Sequence, residues 1–283
     1  MVTVDFRVTG TCHMRCDFCH GADRGTPEAT TAEVLDVISR VSKAGVRRIN
    51  ISGGDPLTRP DIVEILEHAK SLGLFVYVST DGVRLLKLHD RLDRVVDWVG
   101  IPLDGSTPEM NVRMSRIPTT HLITTGILRH FHDRPPSHRV KVGTVVSRIN
   151  IDDLPAIGRI LFDSPGLRPP DVWRLYEFAP RGVGARNAAR HVPGTEEFHA
   201  AIRGLADRFG ADRVSGLSND DHDDSYFFVE PDLRLVTASG PIFRHLGDAG
   251  QLGVDELRAM FFGTAHEHQA IAGKSARNRS WLD

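Results

Sequence analysis

The chain has 283 residues, 40% hydrophobic and 25% charged, the balance of an ordinary globule with enough apolar material for a full core. A formal net charge of −2 argues against a duplex nucleic-acid binder, which needs a clear basic excess to neutralise phosphates. No apolar run is long enough to span a bilayer, and no basic segment followed by an apolar stretch opens the chain, so neither a membrane anchor nor a signal peptide is expected.

Val2 to Val8 alternates apolar and polar residues and reads as a first strand ending at Thr9-Gly10-Thr11. Thr30-Thr31-Ala32-Glu33 offers a capping box, and Val34, Val37, Ile38 and Val41 recur at helical spacing up to Gly45. Arg47 to Ser52 is a second strand and Gly53-Gly54-Asp55-Pro56 its loop. Pro60 then opens a helix faced by Ile62, Ile65, Leu66 and Ala69 and ended by Gly73. Leu74 to Ser79 is a third strand, followed by Thr80-Asp81-Gly82 and a helix from about Val83 to Leu92. A fourth strand covers Val95 to Leu103, with a helix near His121 to His132. The fifth covers Arg139 to Ser147, with a helix from Asp152 to Phe162, and the sixth covers Val172 to Phe178. Beyond it, Arg181 to Gly194 reads as a Gly- and Arg-rich loop and Thr195 to Phe209 as a helix. Ser225 to Val229 with Arg234 to Thr237 reads as a hairpin. Strands separated by helices pair in parallel through crossovers, giving an α/β fold. Periodicity by itself does not choose between a barrel and a doubly wound sheet.

Chemistry concentrates after the first strand. Cys12-His13-Met14-Arg15-Cys16-Asp17-Phe18-Cys19 is a CxxxCxxC run that contains all three cysteines of the chain. A cubic iron–sulfur cluster takes one thiolate per iron, so three neighbouring thiolates hold three irons and leave the fourth open for another ligand. The alternative is a zinc knob with His13 or His20 as fourth ligand. A disulfide framework is not expected from three clustered cysteines, which suit a reducing cytosol.

This run and its surroundings resemble the radical S-adenosylmethionine (SAM) enzymes, with the viperin-like members most similar. The resemblance implies a [4Fe-4S] cluster on Cys12, Cys16 and Cys19, with SAM chelating the open iron, and a partial (β/α)6 TIM-like barrel over residues 1–194. Residues 195–283 would form a C-terminal α/β extension packed on the barrel opening. Ser52-Gly53-Gly54-Asp55-Pro56 looks like the family's GGE segment, whose glycines let the backbone approach SAM; Asp55 stands where many members have glutamate. Phe18 matches an aromatic residue near the adenine, and Ser79, Thr80, Asp81 and Asp104 match polar groups on the SAM ribose or carboxylate. Arg116 ends a segment, Pro108 to Arg116, whose closing arginine reaches the SAM carboxylate in viperin-like enzymes.

The segments Lys141 to Asn150, Val172 to Tyr176 and Asp224-Ser225-Tyr226 are also similar to viperin-like members. Gly143 and Val172 depart from that pattern, which has an asparagine and an arginine there, so a nucleotide triphosphate loses two expected contacts. Lys141 and Arg174 remain to receive a phosphate or carboxylate, with Tyr176 and Asp224 beside the substrate and Tyr226 as a hydrogen donor. Arg181, Arg186 and Arg190 are an alternative anion seat, and the acidic run Asn219 to Asp224 reads as a solvated loop. With no cysteine left over, neither a further Cys-ligated cluster nor a thiol radical quencher is expected.

The implied activity is hydrogen abstraction from a small polar metabolite, nucleotide- or sugar-like, with dehydration or rearrangement. It would be fed by an electron donor such as flavodoxin or ferredoxin. A maturase of ribosomally made peptides is the alternative within the family; such enzymes usually carry a peptide-binding segment ahead of the first strand, which here begins at Val2. A zinc-stabilised binding module is the alternative outside it.

Overall fold

Seven strands lie side by side in the order in which the chain makes them. The computed structural model describes residues 2–115, 117–219 and 226–263. The sheet order is β10-β9-β8-β1-β2-β3-β4-β5-β6-β7, with β1 (Thr3–Arg7), β2 (Arg48–Ser52), β3 (Phe75–Ser79), β4 (Trp98–Pro102), β5 (Arg139–Val146), β6 (Val172–Glu177) and β7 (Val214–Leu217) parallel to their neighbours. The intervening helices include α1 (Thr31–Lys43), α2 (Ile62–Ser71), α3 (Leu85–Leu92), α4 (Pro108–Ser115), α5 (Thr119–Asp133) and α6 (Leu154–Asp163).

Because the order never reverses, successive right-handed crossovers put every helix on one face, and the twisted sheet curls around the other. That decides the choice periodicity left open: the fold is a partial barrel, as the resemblance implied. Side-chain alternation follows the two faces. Val4, Phe6, Ile49, Ile51, Val76, Val78, Val99, Ile101, Val140 and Val142 pack against the helices in one apolar core. The opposite face carries the polar side chains described below. Helix α1 starts as its capping box predicts: the Glu33 N–H donates to Thr30 Oγ1 and the Thr30 N–H to Glu33 Oε2. No helix among the described residues is long and apolar enough to cross a membrane.

The structure adds elements that the sequence reading passed over. Helix α4 precedes the helix expected near His121, and the loop expected at 181–194 contains two short helices, α7 (Val183–Arg186) and α8 (Ala188–His191). After α9 (Thr195–Phe209), the four residues of β7 extend the β6 edge; a four-residue strand containing a glycine carries almost no periodic signal. At the other edge β8 (Phe227–Val229) pairs in parallel with β1, and β9 (Arg234–Ser239) and β10 (Ile242–Asp248) follow as an antiparallel meander. A last helix, Val254–Phe262, buries Leu257 and Phe261 in the main core, while Arg40 of α1 donates to the carbonyls of Ala249, Leu252 and Gly250.

The β1–β8 seam is fastened by one buried ion pair. Arg7 Nη1 donates to Glu230 Oε1 at 2.6 Å, and its guanidinium lies 4.1 Å from the ring centre of Phe228 and 4.6 Å from that of Phe243. Removing one member strands a buried charge, so Glu230→Ala is expected to lower stability by about 3 to 5 kcal/mol. The measurement is the urea unfolding midpoint, read against the unchanged wild-type slope.

Candidate active site

The cysteine loop leaves β1 and is held from two sides. On one side the loop after β2 runs alongside it: the Gly54 N–H donates to Thr9 O at 2.6 Å and the Asp55 N–H to Thr11 O at 2.7 Å, prolonging the β1–β2 ladder beyond both strands. This approach needs glycine. A Cβ on Gly53, whose φ is +138°, would lie 2.3 Å from Thr9 O, and one on Gly54 would lie 2.3 Å from Thr11 O. The two glycines therefore serve first to bring the two loops together.

On the other side, α7 and α8 clasp the loop. Arg190 Nη1 donates to Asp17 Oδ2 at 2.7 Å, His191 Nε2 lies 3.1 Å from Asp17 Oδ1, Asn187 Nδ2 donates to Asp17 O at 2.8 Å, and the Gly184 N–H donates to Cys19 O at 3.2 Å. Asp17 and His191 are fully buried, and His191 Nδ1 reaches Ser147 Oγ at 3.1 Å, tying the loop to the end of β5. Arg190 is thus committed to the cysteine loop, and Arg181 is buried with Nε donating to Gly240 O, so neither is the open anion seat weighed from the sequence. Phe18 packs with Met114 and Phe178 and meets His191 edge-on.

The three thiols form a donor set that calls for positive charge. Cys12 is half-buried and its thiol is pushed up to about 12 by burial, then by the carboxylates of Asp81 and Asp55 and by Cys19. The Cys16 thiol is raised well above its ordinary value by burial, by Asp104 and by the other two thiols. Backbone N–H groups of Met14 and Gly21 point at Cys12 Sγ and Cys19 Sγ, each at 3.3 Å. Cations bound to the sulfurs would invert this electrostatic penalty. The thiols are also spread out: among the described residues no cysteine belongs to a set of three or more such donors within 4.8 Å of one another. One tetrahedral zinc at about 2.3 Å from each sulfur requires tighter gathering than that, whereas a cube distributes its ligands over separate irons. The residues present therefore fit an iron–sulfur cube better than a single ion.

The neighbouring strand ends carry carboxylates. Thr80 Oγ1 donates to Asp55 Oδ1 at 2.6 Å, and the Val83 N–H donates to Asp81 Oδ1 at 2.9 Å. Asp81 Oδ2 lies 2.9 Å from His13 Nδ1 and 3.8 Å from Cys12 Sγ. The Asp55 carboxyl is pushed up to about 6 by burial and by Asp81. Ser79 Oγ donates to Asn50 Oδ1 at 3.2 Å, and Asn50 and Ser52 both donate to Asp5. Asp104, at the end of β4, accepts from the Val145 N–H at 2.8 Å and is pushed up to about 7 by burial.

Below this rim the concave face encloses a cavity of about 430 Å3, lined by Cys16, Phe18 and Cys19 above and by Tyr77, Trp98, Lys141, Arg174, Tyr176, Tyr226 and Phe228 along its walls. All three tyrosines of the chain face it. Lys141 Nζ donates to the Tyr176 hydroxyl at 2.7 Å and sits 4.1 Å from the Tyr77 ring centre, rather than pairing with Glu177 or Asp104. Burial lowers the Lys141 ammonium and raises both phenols. Gly143 leaves the Tyr176 ring its place, since a Cβ there would come within 3.2 Å of it. Tyr226 is half-buried and stacks on Phe228. Arg116 and Asp224 lie outside the described residues. The structure thus gathers Phe18, Ser79, Asp104, Lys141, Arg174, Tyr176 and Tyr226 around one space, and adds Asp5, Arg7, Asn50 and Tyr77, which the sequence reading did not single out. Their signal was the polar set at alternate positions of otherwise apolar strands.

A family model described as the Radical SAM superfamily matches residues 6–172. The chain is similar to a probable GTP 3',8-cyclase of Methanocaldococcus jannaschii, 32% identical over 155 residues, covering 53% of this chain and 51% of that protein. It is also similar to an S-adenosylmethionine-dependent nucleotide dehydratase of Lacinutrix mariniflava, 22% identical over 267 residues, covering 90% of this chain and 54% of that protein. The chain thus spans about half the length of these two relatives. Among solved structures, Streptococcus suis SuiB bound to the precursor peptide SuiA shares the fold, with a TM-score of 0.70 at 9% identity, over 96% of this chain and 66% of that one.

Asp104 gives a pH test of the site's electrostatics. Its folded-state pKa of about 7 exceeds the ordinary 3.8, so between about pH 4 and 7 the folded chain holds a proton that the unfolded chain releases. The contribution of Asp104 to the stability of the cluster-free protein therefore falls as pH rises through that window, against the opposite contribution of buried His20, whose imidazole burial pushes down to about 3. Asp104→Asn should remove the first contribution alone, so the variant should gain more stability, or lose less, than the wild type from the lower to the upper end of the window, measured as urea midpoints.

Proposed function

The chain belongs to the radical SAM superfamily, and from that premise we propose that it is an enzyme that removes a hydrogen atom from a small polar metabolite, nucleotide- or sugar-like, with loss of water or rearrangement. The observation that carries this reading is the seating of a three-thiol loop over a cavity of about 430 Å3 walled by tyrosines and basic side chains. That volume lies in the range of small-molecule sites, and its lining includes both Gly53, Ser79, Thr80 and Asp104 and the Lys141, Arg174 and Tyr176 group. The name of the nucleotide dehydratase relative, over 90% of this chain, supports a nucleotide-like substrate.

In this reading Cys12, Cys16 and Cys19 hold a [4Fe-4S] cluster, and the groups around Gly53, Gly54, Asp55, Ser79, Thr80, Asp81 and Asp104 receive SAM, with Phe18 beside its adenine and Arg116 on its carboxylate. Bound there, the cluster and SAM supply one-electron cleavage of a sulfonium and hence a 5′-deoxyadenosyl radical, driven by a small electron carrier such as flavodoxin or ferredoxin. The remaining work belongs to the protein. Lys141, Arg174 and Tyr176 hold an anionic or hydroxyl group of the substrate at the floor, which orients its target C–H bond toward the rim. The aromatic wall excludes water from the radical. Tyr226 stands at the wall as a hydrogen donor, and Asp224 is assigned to the substrate side. Free thiols and a cluster suit a reducing compartment such as the cytosol.

Anaerobic reconstitution should yield a brown protein with about four irons per chain that makes 5′-deoxyadenosine from SAM and a strong reductant. A Cys12→Ala, Cys16→Ala, Cys19→Ala triple variant should do neither. A colourless protein holding one zinc would end this reading. Screening nucleotides and amino sugars should find one class that stimulates 5′-deoxyadenosine release, whereas stimulation by peptides alone would favour the maturase alternative. Tyr226→Phe should retain SAM binding and lower turnover about 100-fold, the scale of a lost proton or hydrogen donor. Unchanged product formation would remove that role.

A further inference from the structure

The clasp on the cysteine loop turns an arginine-rich face outward. Helices α7 and α8 lie directly on the loop: the Gly184 N–H donates to Cys19 O at 3.2 Å, and a Cβ on Gly182 would lie 3.3 Å from His20 Cα. Arg190 Nη2 donates to Arg113 O of α4 at 3.1 Å, and the Arg148 N–H, just beyond β5, donates to His191 O at 2.9 Å. These contacts gather Arg113, Arg148, Arg186 and Arg190 around the loop that carries Arg15, and all five are exposed.

A second observation is independent of the clasp. Among the described residues Arg15, Arg113, Arg148 and Arg186 enter no ion pair, and Arg190 keeps half of its side chain exposed while it holds Asp17. Val112 and Val183 stand on the same helices, 43% and 42% exposed. No lysine lies on these segments, and Asp23, Glu109 and Asp152 are their exposed carboxylates, so positive charge stays in excess. Arginines set among exposed apolar side chains have the composition of a protein-docking surface, where arginine is enriched and lysine depleted.

We propose that this face, formed by α7, α8, the end of α4 and the turn at Arg148, docks the electron carrier, a small one-electron redox protein with an acidic surface. The proposal rests on the radical SAM reading, in which each cleavage of SAM consumes one electron that this chain does not itself supply. In the docked complex one electron passes from the reduced carrier to the cluster, and no atom or proton moves with it. Only α7 separates a partner seated at Val183 from the backbone of Cys19. Docking on the outer side of the clasp leaves the cavity below the rim to SAM and substrate. The guanidinium groups steer and orient an acidic partner, an effect that salt screens. Arg190 then has two duties, to hold Asp17 inside and to present charge outside.

The test titrates an acidic flavodoxin and an acidic ferredoxin into the cluster-reconstituted protein and reads association by calorimetry at low and at physiological ionic strength. One of the two carriers should bind, more weakly as salt rises. Arg113→Glu with Arg186→Glu should weaken that binding by about tenfold or more at low salt, whereas Arg129→Glu with Arg203→Glu, the same charge change on α5 and α9, should leave it at the wild-type level. Carrier-driven release of 5′-deoxyadenosine should fall in the first variant alone, while dithionite, which needs no docking face, should drive both variants as it drives the wild type. The proposal is overturned if the wild type binds neither carrier in a salt-sensitive way, if both variants lose binding equally, or if neither does. Unchanged carrier binding with impaired dithionite-driven turnover in the first variant would assign the face to substrate and overturn it as well. Failure of dithionite to yield 5′-deoxyadenosine from the wild type would count against the proposed function, and the binding arm decides the docking face separately.

Discussion

Two backbone hydrogen bonds, from the Gly54 N–H to Thr9 O and from the Asp55 N–H to Thr11 O, set the geometry on which the site depends. They extend the β1–β2 ladder past the strand ends, so the cysteine loop inherits the rigidity of the sheet although it has no regular structure of its own. A side chain on either glycine would drive the loops apart, because both Cβ positions fall on carbonyl oxygens of the partner loop. Through this contact the carboxylates of Asp55 and Asp81 come up against the Cys12 thiol. Burial and like charge together disfavour the Cys12 and Cys16 thiolates, and cations bound to the sulfurs would offset this.

The second constraint is the single direction of winding. A strand order that never reverses leaves one face of the sheet without helices, and polar side chains can occupy it only by bonding one another or a ligand. The Asp5, Asn50, Ser52 and Ser79 network and the Lys141–Tyr176 pair do the former. The cavity that remains is polar at the floor, aromatic along the walls and thiol-lined at the mouth, so a ligand anchored below presents its upper part to the rim. The C-terminal strands complete the wall: β8 lies along β1 through Arg7 and Glu230 and brings Tyr226 and Phe228 to the cavity.

The clasp on Asp17 shows how a segment that reads as a solvated Arg-rich loop becomes structural. Arg190, His191 and Asn187 converge on one residue between Cys16 and Cys19, and His191 passes the restraint on to Ser147 at the end of β5. Cysteines five to twelve residues beyond the end of β1 are thereby held from the far side of the barrel as well as from β2. Side chains so held keep their directions when ligands come and go, which is what an ordered cluster site requires.

Sequence alone determined whatever depends on residue type and spacing. The three thiols at CxxxCxxC, the glycine turn, the capping box at Thr30 and the six β/α units were legible because periodicity and turn chemistry are local properties. The barrel itself rested on resemblance until the strand order appeared, since one-sided and two-sided winding share the same alternation of elements. Short elements such as β7, α7 and α8 lacked enough residues to show a period. Tertiary structure alone decided which side chains meet: Asp17 with Arg190 across more than 170 positions, Arg7 with Glu230 across more than 220, and His13 with Asp55 and Asp81. Such contacts are set by where crossovers and sheet curvature deliver each strand end, and no local pattern encodes that.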